Sequence, residues 1–291
     1  MKTDKMDTLK VGGVPEHFNL PWRLAIEEQL FEASGKSLIW EDQPMGTGQM
    51  VKKLESGELD VAVLLTEGIT KAILEDGLKA KILQVYVTSP LHWGIHVPFQ
   101  SDIRTFDDLK DQTFAISRYG SGSHLMTYVK ADQEEWDTNT LQFNVIGDVE
   151  GGMQSLEKNE SQAFLWEKYT THPYTEKGRC RYIDEVVTPW PCFVIAVRED
   201  LCGSEKEFLN EICTIVGKRA FAMKNSENVI ELISNRYDLR SGQVANWLIE
   251  TDWNYDMKSY TEEIENTIHY LVKLGLISKA KVENWESKLF C

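Results

Sequence analysis

The sequence predicts an α/β protein whose open sheets are flanked by helices and whose C-terminal tail is helical. Three observations carry this expectation. Strand-like and helix-like segments alternate as β-α-β-α-β over the first 65 residues. The run Leu59-Asp60-Val61-Ala62-Val63-Leu64-Leu65 is nearly continuous in apolar character, as in a strand covered on both faces. After Glu199 the alternation gives way to helical periodicity, which continues to the end of the chain.

The first strand is expected over 9–14, ending in the turn Pro15-Glu16-His17-Phe18-Asn19. A helix from about Pro21 to Ala33 offers Leu24, Ile26, Leu30 and Phe31 as its apolar face. Pro21 suits a first helical position, and Gly35 stands where a C-cap glycine belongs. The second strand covers 37–40, and the next helix runs from Gly46 to Leu54 with Gly57 ending it. Further strands are expected at 81–87, 94–97, 113–116, 141–146, 163–166 and 192–197. Helices at 103–109, 124–131 and 152–158 separate several of them, and Gly120-Ser121-Gly122-Ser123 forms a turn. The tail is expected to be helical over 205–223, 228–237, 242–249, 261–274 and 279–289.

Composition narrows the function classes. A chain of 291 residues suggests two domains at about 150 residues each. With 31 basic and 46 acidic residues the net charge is −15, which argues against nucleic-acid binding and against a polybasic membrane surface. Hydrophobic residues at 42% supply a sizeable core and exclude global disorder. No apolar run approaches the ~18–20 residues of a membrane span, so no membrane insertion is expected. The polar start Met1-Lys2-Thr3-Asp4-Lys5-Met6-Asp7-Thr8 has no leader, which predicts a cytoplasmic protein, or a periplasmic one if a leader has been removed. Cys180, Cys192, Cys202, Cys213 and Cys291 are odd in number and irregular in spacing, which predicts reduced thiols rather than disulfides or a zinc site. No metal and no cofactor is expected.

Four segments, in this order, carry a family resemblance. They are Gly13-Val14-Pro15-Glu16-His17-Phe18-Asn19, Lys53-Leu54-Glu55-Ser56-Gly57-Glu58-Leu59-Asp60-Val61-Ala62-Val63, the stretch Ile103-Arg104-Thr105-Phe106-Asp107-Asp108-Leu109-Lys110-Asp111-Gln112-Thr113-Phe114-Ala115-Ile116 with the Gly120–His124 turn after it, and Leu271-Val272-Lys273-Leu274-Gly275-Leu276-Ile277. Together they cover nearly the whole chain. It resembles the two-lobed type II periplasmic-binding-protein fold, in the branch of nitrate-, sulfonate- and taurine-binding proteins and fungal thiamine-pyrimidine synthases. Trp166-Glu167 and Thr188-Pro189-Trp190-Pro191 look closer still to fungal and bacterial relatives without export signals. The resemblance implies a first lobe of 1–95 plus 196–291, a second lobe of 96–195, and closure over a small-molecule ligand. An ABC permease would be a partner only if the protein is exported.

In open α/β sheets ligands sit outside the carboxyl ends of the strands, so each loop there is a candidate. His17, Phe18 and Asn19 lead into a helix N-terminus that favours anions; the alternative is a solvent loop with Phe18 stapling the helix. Gly46, Thr47 and Gly48 let backbone approach a ligand, or form a tight turn with a capping threonine. Thr66 and Glu67 follow the third strand, where a carboxylate accepts hydrogen bonds from an amine or amino-heterocycle, or answers a helix dipole. Ser89 and Trp93 lie near the proposed crossing, Trp93 as a stacking surface or as packing. Arg118, Gly120, Ser121, Gly122, Ser123 and His124 form the most informative stretch: amides, hydroxyls and a guanidinium that converge on an anion, or an ordinary serine cap with a packed histidine. Trp166, Glu167 and Trp190 suit an aromatic, hydrogen-bonding ligand, though Trp166 also reads as core.

The function expected is binding of a small, flat, partly anionic solute, sulfonate-like or thiamine-precursor-like. The alternative is a cytosolic enzyme on the same fold, of thiamine-pyrimidine or menaquinone-pathway type. The cysteine-rich motif of the synthases is missing, Cys192 being the only cysteine near the corresponding region, and no Ser/His/Asp order or HExxH stands out. No residue is therefore assigned as catalytic.

Overall fold

A computed structural model describes residues 8–32 and 36–291. The polar start before Thr8 and the expected helix end at Ala33 with its Gly35 cap lie outside the described residues. In chain order the elements begin with β1 (Thr8–Gly13), α1 (Leu20–Glu27), β2 (Ser37–Asp42), α2 (Thr47–Ser56), β3 (Val61–Leu65), α3 (Thr66–Leu74) and β4 (Ala80–Val87). There follow β5 (His92–Pro98), β6 (Thr113–Ile116), α4 (Gly122–Gln133), β7 (Gln142–Val145), α5 (Val149–Glu157), β8 (Ala163–Glu167), α6 (Lys168–Glu176) and β9 (Cys180–Val187). Last come β10 (Phe193–Arg198), α7 (Leu201–Ser204), α8 (Lys206–Lys224), α9 (Val229–Tyr237), α10 (Ser241–Glu250), α11 (Thr261–Lys273) and α12 (Trp285–Leu289).

The chain divides into two compact units. One comprises the residues up to Ser89 together with Trp190–Cys291, the other Pro90–Pro189, so all of β5 falls in the second. The first unit holds a sheet ordered β2-β1-β3-β10-β4, in which β1 pairs parallel with β2 and β3 while β10 runs antiparallel to β3 and β4. Val11, Val61, Ala62, Val63, Leu64, Ile195 and Ala196 are fully buried there. Each such Val, Leu or Ile contributes roughly 1.5–3 kcal/mol over an exposed one. Gly12 admits no side chain, since a Cβ would lie 2.5 Å from Leu59 Cδ1. Gly57, at φ 74°, ends α2 in the left-handed conformation that glycine adopts without strain.

The second unit repeats the pattern as β7-β6-β8-β5-β9, with β6 parallel to β7 and β8 and with β5 antiparallel to β8 and β9. Its core gathers Ala115, Met153, Leu156, Phe164 and Cys180.

Several expectations need correction. The first helix stops at Glu27, because Gln29 takes φ 57° and Leu30 N–H turns back to Ala25 O at 3.0 Å. The helix expected over 103–109 is a single 3-10 turn, Asp107–Leu109. The last helix is split into a 3-10 turn at Lys279–Lys281 and α12, with Asn284 left-handed between them. The five cysteines are not all reduced: Cys202 and Cys291 form a disulfide with Cα atoms 5.6 Å apart, while Cys180, Cys192 and Cys213 are buried thiols. Spacing along the chain reveals only local pairs. Here the partners meet because the tail returns to β4, where Ile82 bridges Phe290 and Lys81 Nζ donates to the carbonyls of Ser287 and Lys288. Among the described residues no helix is long and apolar enough to cross a membrane.

Candidate functional site

In the first unit β1, β2 and β3 are parallel, so their carboxyl ends emerge along one edge. After β1 comes a 3-10 turn, His17–Asn19, with all three residues buried. The His17 ring lies 4.1 Å from Trp247, and Phe18 lies 5.2 Å from both Phe193 and Trp247. Phe18 O accepts from Tyr86 Oη at 2.9 Å and Trp253 Nε1 at 3.3 Å. The loop is therefore anchored inward by its aromatic rings rather than open to solvent. Burial drives the His17 pKa down to about 3, so its imidazole is neutral. Asn19 Nδ2 donates to Val14 O at 2.9 Å, and its buried Oδ1 has no partner among the described residues.

After β2, Gln43 donates its backbone N–H to Gly13 O at 2.9 Å, and its buried Oε1 has no partner among the described residues. Gln43 carries no signal in the sequence, since a lone glutamine after a strand belongs to no motif. Gly46 sits at φ 69° ahead of α2. Thr47 does not cap that helix; its Oγ1 accepts from Leu65 N at 3.2 Å. A Cβ on Gly68 would lie 2.6 Å from the Thr47 methyl, which fixes the close approach of α2 to α3.

After β3, Thr66 donates its hydroxyl to Pro191 O and its N–H to Cys192 O. Glu67 opens α3, 2% exposed, and its Oε2 accepts from Trp190 Nε1 at 2.8 Å. Its Oε1 has no partner among the described residues. Burial raises the Glu67 pKa to about 7, opposed by its own backbone N–H and by Trp190. Trp190 is buried and meets Tyr270 edge-on at 5.6 Å, so it belongs to this unit. Ser89 Oγ accepts from Asp252 N, and its carbonyl accepts from Cys192 N.

The second unit presents an equivalent edge. Ser121 caps α4, with Oγ accepting from His124 N at 3.4 Å. Its Oγ also lies 3.0 Å from Ser123 Oγ, which accepts from Ser117 N at 3.0 Å. Gly120, at φ 77°, donates its N–H to His124 Nδ1 at 3.2 Å. The two hydroxyls, read from sequence as ligand contacts, are thus engaged within the turn, and Gly122 begins the helix. His124 packs among Tyr119, Tyr128 and Phe143 at 4.7–5.4 Å, and burial lowers its pKa to about 4. Burial also lowers the Arg118 pKa. Glu167 caps α6, accepting from the N–H groups of Tyr169 and Thr170 at 3.1 and 2.6 Å, and burial raises its pKa against those bonds. Trp166 is half-buried against Phe164 and Trp93. Trp93 pairs with Glu167 across β5 and β8 and is 5% exposed, yet its Nε1 has no partner among the described residues. Among the described residues no group of three or more His, Cys, Asp or Glu is placed to hold a metal ion.

The two five-stranded sheets, their shared strand order and the polar edges at the carboxyl ends agree with what the chain resembles. A family model described as Ca3427-like PBP matches residues 93–186. The Candida albicans CA3427 gene product, described as having the generic periplasmic binding protein structural fold, superposes with a TM-score of 0.89 at 24% identity, over 98% of this chain and 96% of that one. This is the type II periplasmic-binding-protein fold. The alkanesulfonate-binding protein SsuA from Xanthomonas axonopodis pv. citri, bound to MOPS, shares the binding-protein fold at a TM-score of 0.76 and 14% identity, over 94% of both chains. The periplasmic nitrate-binding protein NrtA from Synechocystis PCC 6803 shares it at 0.71 and 15%, over 97% of this chain and 86% of that one. A search of curated proteins finds no match. At these identities the similarity establishes the binding-protein fold, and the chemistry of the site has to come from its own residues.

Proposed function

We propose that this protein binds a small solute at the carboxyl-end loops of its second unit's sheet, the solute bearing an acceptor-rich or anionic group. The carrying observation is Trp93 Nε1, a buried indole donor without a partner among the described residues, at the edge formed by β8 and the start of β5. Buried polar groups in folded proteins are nearly always hydrogen-bonded, and an unused donor at a ligand-binding edge is matched by a ligand acceptor. The N-terminus of the twelve-residue α4 lies on the same edge and favours negative charge. The similar proteins described as alkanesulfonate- and nitrate-binding support an anionic group.

The test is a thermal-shift screen of alkanesulfonates, carboxylates and pyrimidines, with each hit weighed by mass after incubation. A ligand at 100 times its Kd stabilises by about 2.7 kcal/mol. Trp93→Phe is expected to weaken a true ligand about tenfold while leaving the unliganded midpoint within a degree or two, a loss of about 1.4 kcal/mol. Unchanged affinity in that variant would remove the indole from the site. A hit recovered with altered mass would make the protein an enzyme instead.

A further inference from the structure

In the first unit β4 is an edge strand, and its outer side is met at Ile82 by Phe290, in the returning segment 277–291. There α12 packs on both α3 and β4. Packing holds this cover thinly. Ile277 and Leu289 are buried at its two ends, but no residue from Ser278 to Lys288 is. α12 has five residues, too few for a helix that stands by itself. The remaining attachments are polar. Ser278 donates its N–H and its hydroxyl to the exposed Glu75 carboxylate at 2.8 and 3.0 Å. Lys81 Nζ donates to Ser287 O and Lys288 O at 2.6 and 2.9 Å. A segment with few buried apolar contacts and exposed polar ones opens more readily than the core does.

One covalent link closes what packing leaves loose. Cys291 is bonded to Cys202 in α7, just beyond β10. Lys81 meets the same corner, pairing with Glu199 at 3.3 Å, and Glu199 O accepts from Cys202 N. The link is open to thiol exchange. Cys291 is exposed and Cys202 half-buried, and a thiolate attacks only a sulfur it can reach. The other three thiols are buried, and burial pushes Cys180 and Cys213 up to about 12. They therefore neither attack the link nor reshuffle it.

We infer that Cys202–Cys291 is a redox-operated latch: a dithiol reductant opens it and releases residues 277–291 from the edge of β4, while the rest of the first unit stays folded. One thiolate of the reductant attacks a sulfur of the link and forms a mixed disulfide. Its second thiolate then displaces the protein sulfur and closes the reductant's own disulfide. Two electrons and two protons end on Cys202 and Cys291 as two thiols. Exchange with an oxidised dithiol reverses the step. Opening withdraws Leu289 from the core and bares Ile82, so an edge strand loses its cover. The sheet edge is covered in an oxidising compartment and open in a reducing one.

Amide hydrogen exchange of the full chain, read by mass spectrometry with and without dithiothreitol, tests this, and alkylation counts the thiols. Without denaturant, dithiothreitol is expected to make two thiols reactive, Cys202 and Cys291. The N–H groups of Trp285 and Phe290 donate to Val282 O and Glu286 O in the closed form. They should exchange at least tenfold faster in the reduced protein, while β1, β3 and the second unit keep their rates. Cys202→Ser should show the fast segment with or without reductant. Should that variant fold poorly, the two redox states of the wild type carry the comparison alone. A link that yields only in denaturant overturns the latch. Equal rates at Trp285 and Phe290 in both redox states overturn it as well. So does a rise of equal size across the whole first unit, which would make the link a brace for the unit rather than a catch for one segment.

Discussion

His17, His96 and His124 are held neutral by burial, their pKa values lowered to about 3, about 4 and about 4. An unfolded histidine titrates near 6.5. As pH falls below that value the unfolded chain takes up protons that these side chains refuse, so stability drops with falling pH. The limiting slope is about 1.4 kcal/mol per pH unit for each proton. Glu67 acts the other way. Its folded value of about 7 exceeds the unfolded 4.5, so its contribution is complete below 4.5 and is lost as pH rises through 7. Three histidines outweigh it in the acid range. Urea denaturation should therefore show stability rising from pH 4.5 to 6.5, and His17→Phe should flatten that rise; parallel curves for the two proteins would show that His17 does not supply it. The same residues show what could be read in advance. Position after a strand marked His17, Thr47 and Glu67, because strand ends are legible from apolar runs. The use of each side chain was not legible. Glu67 and Trp190 meet across 123 residues, Gln43 has no motif, and Ser121 with Ser123 proved to bond to each other and to the backbone.

At the level of elements, the legible ones were those with a clean period. β3 and β10, α2 with its left-handed Gly57, and the helices α8 to α11 follow directly from apolar spacing. Four elements escaped, the four-residue α7 among them. Strand β9 carries Arg181, Asp184 and Glu185, so its alternation is hidden by charge. α6 contains Pro173, which reads as a breaker. α3 begins directly at the end of β3 with no intervening turn. The disulfide between α7 and the chain end after α12 was equally hidden, its partners being 89 residues apart. Closing a loop of that length restricts the unfolded chain, and losing such a link typically costs about 2–4 kcal/mol. Cys291→Ser is expected to lower the denaturation midpoint accordingly, and reductant should bring the wild type down to the same value. A wild-type midpoint indifferent to reductant would show that the link contributes nothing to stability.

At the scale of the molecule, the order of the four quoted segments was enough to point to the fold, because each unit repeats one arrangement: three parallel strands, then one antiparallel strand, then an edge strand antiparallel to that one. The two places where the chain leaves and re-enters the first unit are neighbours. Ser89 O accepts from Cys192 N at 3.0 Å, and on the other side Leu91 O accepts from Thr188 N at 3.0 Å. Residues 90–189 are thus a cassette spliced into a domain whose own cut ends already touch. A gene in which two glycines replace that cassette should encode a protein that folds around β2-β1-β3-β10-β4. Its Trp190 should still be buried beside Glu67, and it should unfold in one cooperative step. The excised piece, its own ends joined by the Leu91–Thr188 pair, should do the same alone, and failure of either half to give a cooperative transition would show that the graft had become inseparable from its host.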